Sequence, residues 1–321
     1  MNLKELIAPI QRFVLSARFG LCLIVLLASI NSGCSIRKMA VNKVGDALSG
    51  GGTVFASDND PELIKAAVPF SLKLMESLLA ESPGHEGLLF ATASGFTQYA
   101  YAFVQQEADE MEDQDFEASQ MMRARARKLY LRARDYGLRG LTVRHPGFSS
   151  QLRADAEKAV GQAQLKDVPL LYWTAISWAA AISVSKDDPE LIGELPMAEA
   201  LIDRAYALQP DYDHGAIETF LITYETARQG GEGDPYLRAK KHFERAVQLS
   251  GGQAAGPFVS YAESIAIPQK DPATFQSMLE QALAINPDAR PEWRLANLIM
   301  QRRARWLLSK KDERFLLPPT Q

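Results

Sequence analysis

From Pro61 onward, apolar side chains recur at three- and four-residue spacing in long segments interrupted by Pro and Gly. That pattern predicts amphipathic helices almost without relief. No alternating run rich in β-branched residues competes with it, so the chain is expected to be all-α. Inside the helices one arrangement repeats. Ala198-x3-Ile202-x2-Ala205-x4-Pro210 returns as Ala239-x3-Phe243-x2-Ala246-x4-Gly251 and as Phe275-x3-Leu279-x2-Ala282-x4-Pro287. Looser copies are Ser71-x3-Met75-x2-Leu78-x4-Pro83 and Ala126-x3-Tyr130-x2-Ala133. The three marked positions lie on one helix face, small residues there let a second helix approach closely, and the terminal Pro or Gly stops the helix. Ala133, Ala205, Ala246 and Ala282 are therefore expected at helix contacts.

The repeated pattern resembles the second helix of the tetratricopeptide repeat. Ala205, Ala246 and Ala282 lie 41 and 36 residues apart, near the regular period of about 34. The expected architecture is a helical-hairpin array of degenerate tetratricopeptide-like repeats, an α-solenoid. Val168 to Val184 carries no charge over seventeen residues. Its Pro169, its three consecutive alanines and its Tyr, Thr and Ser side chains favour a helix buried among others over a membrane span.

The first thirty-odd residues obey a different rule. Lys4, Arg12 and Arg18 precede an uninterrupted apolar run from Leu21 to Ile30, too short to cross a bilayer, and Asn31-Ser32-Gly33-Cys34 follows it. This resembles the lipobox of bacterial lipoproteins, in which a peptidase cuts before a cysteine that becomes acylated. Residues 1–33 are then a signal peptide, and Cys34 is the lipidation site. Residues 34–59, short of large apolar groups and containing Gly50-Gly51-Gly52, read as a lipidated flexible tether, and residues 60–321 as the helical domain. Cys22 would leave with the leader. One lipid-bearing thiol leaves none for disulfides, zinc or nucleophilic catalysis.

Loss of the leader removes three bases and one acid, Glu5, so the net charge moves from −4 to −6. That repels phosphate backbones and makes nucleic acid an unsuitable partner. Catalytic signatures fail. His85-Glu86 is followed by Leu89 where a zinc helix needs a second imidazole, and Gly251-x4-Gly256 meets Pro257 where a phosphate loop needs Lys. His85 and His214 follow Pro83 and Pro210 at helix starts, and two imidazoles without a spaced carboxylate define no metal site. No cofactor is expected. The acids between Glu107 and Glu117 are expected to form a solvated excursion between helices, since the Gly and closing Glu of a calcium loop are missing.

Several stretches together resemble one family. They are Tyr172-Trp173-Thr174-Ala175 with Trp178, Ser185 to Leu191, Arg123 to Tyr136, Gly215-Ala216 with Tyr224-Glu225, and Arg294-Leu295-Ala296-Asn297 leading to Arg303 through Leu308. The set is similar to the T-component of tripartite ATP-independent periplasmic (TRAP) transporters. The resemblance implies a periplasmic lipoprotein that assembles as a homotrimer with a central pore and partners the solute-binding protein of a TRAP system. It attributes no catalytic residues to the chain. The solute would be a small apolar molecule or organic acid, and Ser35 after the lipidated cysteine favours the inner leaflet of the outer membrane. Tyr99, Tyr101, Tyr172, Trp173, His85 and His214 are expected to line the pore or cleft. Two other readings remain open: a tetratricopeptide scaffold lipoprotein for envelope or outer-membrane protein assembly, and a cell-wall-acting enzyme on a helical solenoid.

Overall fold

The computed structural model describes residues 39–316 apart from 51 and 229. Cys34 and the expected signal peptide lie outside the described residues. Among those residues every regular element is helical. In chain order they are α1 (residues 39–50), α2 (Gly52–Ala56), α3 (Pro61–Glu81), α4 (Glu86–Ala100), α5 (Gln106–Met111), α6 (Phe116–Arg144), α7 (Phe148–Ala154), α8 (Ala156–Gly161) and α9 (Val168–Ser183). There follow α10 (Pro189–Ile192), α11 (Leu195–Leu208), α12 (Ala216–Ala227), α13 (Pro235–Ser250), α14 (Gly256–Tyr261), α15 (Pro272–Ala284), α16 (Arg294–Ser309) and α17 (Lys311–Phe315). None of the described helices is long and apolar enough to cross a membrane.

A recurring dipeptide sets where these helices begin. Asp60-Pro61, Asp188-Pro189, Asp234-Pro235 and Asp271-Pro272 each place an aspartate at the N-cap and a proline at the first helical position. The carboxylate accepts from backbone N–H groups of the first turn that have no partner within the helix. Proline lacks the one N–H that would otherwise go unmet, and its fixed φ suits the start of a helix.

Helices pack as neighbours in sequence: α3 on α4, α4 on α6, α6 on α9, α9 on α11, α12 on α13, and α15 on α16. The α6–α9 crossing is close. A Cβ on Gly137 would collide with the Thr174 side chain, and one on Gly140 would sit 2.9 Å from Leu170 Cδ2. Glycine is needed there for close approach, not for an unusual backbone. Arg134 then ties the layer above: its guanidinium lies 4.9 Å over the Trp178 ring and 3.0 Å from Glu194, which also accepts from Trp178 Nε1 at 2.9 Å. Ala133, Ala205, Ala246 and Ala282 are all buried at helix contacts. Ala246 Cα would lie 3.3 Å from a Cβ placed on Gly215, in the turn before α12.

Two stretches differ from the sequence expectation. Residues 39–50, expected within a flexible tether, are helical. Val41, Asn42, Gly45, Leu48 and Ser49 share the face turned to the body, and Gly45 is buried against His85. The spacing of these mostly small residues is helical, but without bulk it gives little periodic signal.

The acids between Glu107 and Glu117 form a solvated excursion only in part: Asp113, Asp115 and Glu117 are exposed around the turn between α5 and α6, while the acids before them are paired. Asp109 accepts from Arg303 Nη1 at 3.0 Å and from Arg123 Nη2 at 3.0 Å, and Glu112 pairs with Arg123 at 2.6 Å. Glu110 accepts from Arg302 at 2.7 Å, and Glu107 pairs with Lys65. Arg302 and Arg303 belong to α16, almost two hundred residues away in the chain, which sequence spacing cannot reveal. The same helix contacts α2 and α3, and Arg294 Nη1 donates to the Ser57 carbonyl at 2.6 Å. The last long helix thus returns to the first, and the array closes on itself.

Two variants test these contacts by chemical denaturation. Ala246→Arg forces a charged chain between helices and should cost on the order of 3 kcal/mol, whereas Gln248→Arg, on the exposed face two residues along, should stay within about 0.5 kcal/mol of the parent. Equal stability of the pair rejects the packing role. Arg303→Ala strands the Glu263 carboxylate and leaves Asp109 with Arg123 alone, and should cost about 3 kcal/mol, a loss that Arg302→Ala, with its more exposed guanidinium, should not match.

Candidate functional site

Closure of the array leaves a cavity of about 820 Å³ between the helices. α4, α6, α9, α12 and α16 form its walls, and each contributes side chains its sequence places inward. α9 lines it from Tyr172 through Trp173, Ile176 and Ala180 to Ser183, a stretch of about 17 Å at helical rise. α12 lines it from Ala216 through Phe220 and Tyr224 to Ala227, a similar length. From α16 come Ala296, Asn297 and Met300, and Trp293 stands just before that helix. Most of the wall is aliphatic or aromatic, the composition that suits a ligand with a large apolar surface.

Two π turns interrupt the described chain, and the first reaches this cavity through Tyr101 and Gln105. Tyr101–Gln105 follows α4, and Ala262–Ala266 follows α14. One extra residue in each turn re-aims the side chains beyond it. Tyr101 Oη lies 3.8 Å from Met300 Sδ, and burial, reinforced by Glu263, pushes the phenol up to about 12. Tyr130 donates to Gln105 Oε1 at 2.6 Å, and burial raises its phenol well above the ordinary value. Both phenols are neutral hydrogen-bonding groups over the physiological range. Arg303 stands between the two turns, its Nη2 2.7 Å from Glu263 Oε1 and its guanidinium 4.4 Å over the Trp306 ring. Burial opposes its charge, but the carboxylates of Glu263 and Asp109 more than restore it.

Of the residues expected to line the cleft, Tyr101, Tyr172, Trp173 and His214 stand in the cavity wall. Tyr172 and Trp173 meet edge to face with centroids 5.1 Å apart, so adjacent residues on one helix serve the same wall. Tyr99 and His85 do not reach it. Tyr99 is buried in the core against Phe103, at 5.7 Å. His85 caps α4, its Nδ1 accepting from Leu88 N at 3.2 Å while Nε2 lies 3.2 Å from the Asn42 carbonyl and 3.3 Å from Asp46. That ring joins the body to α1. It is separate from His214, whose ring lies 5.2 Å from that of Trp293, so the two histidines do not form a shared site.

Sequence reasoning missed Trp293, Phe220, Met300 and Asp213. Asp213-His214 gave one usable signal, a polar pair before Gly215 at a helix start, but its strain is invisible in the letters. Both residues take left-handed backbone, at φ 44° and 53°. Among the described residues no group of three or more His, Cys, Asp or Glu is placed to hold a metal ion.

A family model described as TRAP transporter T-component matches residues 57–315. The chain is also 29% identical over 303 residues to an uncharacterized protein of Treponema pallidum (strain Nichols), covering 89% of this chain and 94% of that one.

Filling the cavity tests whether it receives apolar molecules. Ala180→Phe should weaken binding of a solvatochromic dye by ~10-fold, about 1.4 kcal/mol, with little change in melting temperature, as read by fluorescence titration. Ala200→Phe, on a helix face outside the cavity wall, is the control, and equal weakening by both rejects the cavity as the dye site.

Proposed function

The chain belongs to the TRAP transporter T-component family, and on that premise we propose that it is the periplasm-facing, lipid-anchored component that docks the solute-binding protein of a TRAP system and offers the solute an apolar passage. T-components are accessories of transport, not enzymes. The observation that carries this reading is the cavity itself: about 820 Å³, open to solvent and walled by aromatic and aliphatic side chains of helices from both ends of the chain. Such a wall desolvates an apolar solute and offers little to reactive chemistry.

The anchor is Cys34, following its apolar run and Ser32-Gly33. Attachment to the inner leaflet of the outer membrane puts the body in the periplasm beside a soluble binding protein. The helix pairs are degenerate tetratricopeptide-like repeats, a reading supported by the burial of Ala133, Ala205, Ala246 and Ala282 at their contacts. Three copies assemble around an axis. Leu63 and Phe70, two turns apart on α3, are 57% and 74% exposed, and a second copy of the chain would cover such apolar surface.

Three measurements test the proposal separately. Cys34→Ser should move the protein from the membrane fraction into the soluble periplasm, with the mass of the acyl chains lost. Light scattering of the full chain in lipid nanodiscs should give three copies per particle, and Phe70→Glu should reduce that number; a strict monomer for the parent rejects the trimer. Titration with a purified solute-binding protein of a TRAP system from the same cell should give saturable binding, and its absence with and without solute rejects the docking role whatever the oligomeric state.

A further inference from the structure

The first helix has two unlike sides. Val41, Asn42, Gly45, Leu48 and Ser49 turn toward the body, and that side is held closely. Ser82 Oγ donates to Asn42 Oδ1 at 2.7 Å, and Leu48 packs on the cluster of Met75, Leu79, Leu88 and Leu89. His85 Nδ1 accepts from Leu88 N, so in the neutral ring Nε2 carries the proton and donates to the Asn42 carbonyl at 3.2 Å. A Cβ on Gly45 would sit 2.8 Å from His85 Nε2 and 2.9 Å from Leu88 Cδ1, so the missing side chain is what admits this approach. The opposite side is exposed. Ala40, Lys43 and Ala47 recur there at helical spacing, flanked by Met39 at 57% and Val44 at 48% exposure. Among the described residues Lys43 has no ion-pair partner.

Two properties of the chain bring a bilayer to this exposed side. Cys34, the acylated residue of the proposed anchor, precedes Met39 by only five residues, which span at most about 18 Å even when fully extended. The helix therefore begins within that distance of the lipid. Charge is the second property. Arg37, Lys38 and Lys43 outnumber Asp46 between residues 34 and 50, whereas the chain as a whole is net negative. An anionic leaflet attracts this segment and repels the remainder of the body. A lysine between two alanines, with Met and Val beside it, places its ammonium among headgroups while short apolar groups meet the boundary beneath. We infer that the outer side of α1 lies on anionic phospholipid headgroups. Because the inner side is pinned through Asn42, Gly45 and His85, this contact holds the α3–α4 end of the array against the bilayer. The inference rests on Cys34 being the membrane anchor and adds a second, charge-reading contact to it.

The test uses the acylated full chain in vesicles of phosphatidylethanolamine and phosphatidylglycerol, or of phosphatidylcholine alone. With Cys34 acylated, a surface cysteine introduced by Val44→Cys accepts a bimane label. The control label sits at Leu237→Cys, 60% exposed on α13, which packs on α12 and α14. Nitroxide-bearing lipids quench a label that touches the bilayer. Quenching is expected at position 44 and not at position 237. Exchanging phosphatidylglycerol for phosphatidylcholine, or introducing Lys43→Glu, should shift the docked helix ~5-fold or more toward the free state, the loss of about one basic group's attraction. Membrane fractionation should stay unchanged in both cases, since the acyl chains still hold the protein. Equal quenching at the two positions overturns the inference, as does quenching at position 44 that ignores lipid charge and Lys43→Glu. A label at 44 shielded from iodide yet unquenched by lipid also overturns it, because a second copy or another protein then covers this side. Intact mass separates the premises: acyl groups present without quenching at 44 reject the headgroup contact alone, whereas their absence rejects the anchor and the contact together.

Discussion

Arg303 is a guanidinium held between two carboxylates that come from different thirds of the chain, Asp109 after the first π turn and Glu263 within the second. It is 9% exposed, and its plane rests on Trp306. Charges this poorly hydrated must stay paired, because removing one partner leaves an uncompensated charge in a medium that screens it weakly. The constraint therefore works on the whole array. Helix pairs that contact only their neighbours would form an open row; this buried network returns α16 to the start of the chain.

Closure has a consequence for the interior. An open row two helices thick buries its apolar faces between adjacent pairs and leaves no enclosed space. Once the row is closed, the inner faces of α4, α9, α12 and α16 cannot all meet, and the unfilled volume becomes the cavity. Its walls are held apart by contacts that are themselves tight: Gly137 and Gly140 at the α6–α9 crossing, and Arg134 between Trp178 and Glu194. The cavity is a product of packing elsewhere, and its walls are anchored on their outer sides.

The same logic accounts for the turn before α12. Asp213 would leave its left-handed conformation in an isolated peptide. It is kept by Gly215 against Ala246 on one side and His214 against Trp293 on the other. A small residue chosen for helix packing thus also fixes the position of a charged group in the cavity wall, which couples the packing of α13 to that wall.

Local chemistry settled much of this protein in advance. Apolar spacing sets the helices, because burying one face is periodic along the chain. Asp-Pro and Gly punctuation sets their ends, because capping is satisfied within a few residues. The alanines that let helices touch and the aromatic pair Tyr172-Trp173 were legible for the same reason. The partners of the acidic segment were not, since Asp109 and Arg303 are separated by 194 residues and no periodicity links groups joined by closure. Nor were the assignment of His85 to α1 and His214 to the cavity, two histidines in similar local sequence, or the strain at Asp213. Those were decided by which surfaces face one another after the array closes, a property of the assembled fold and of no single stretch of chain.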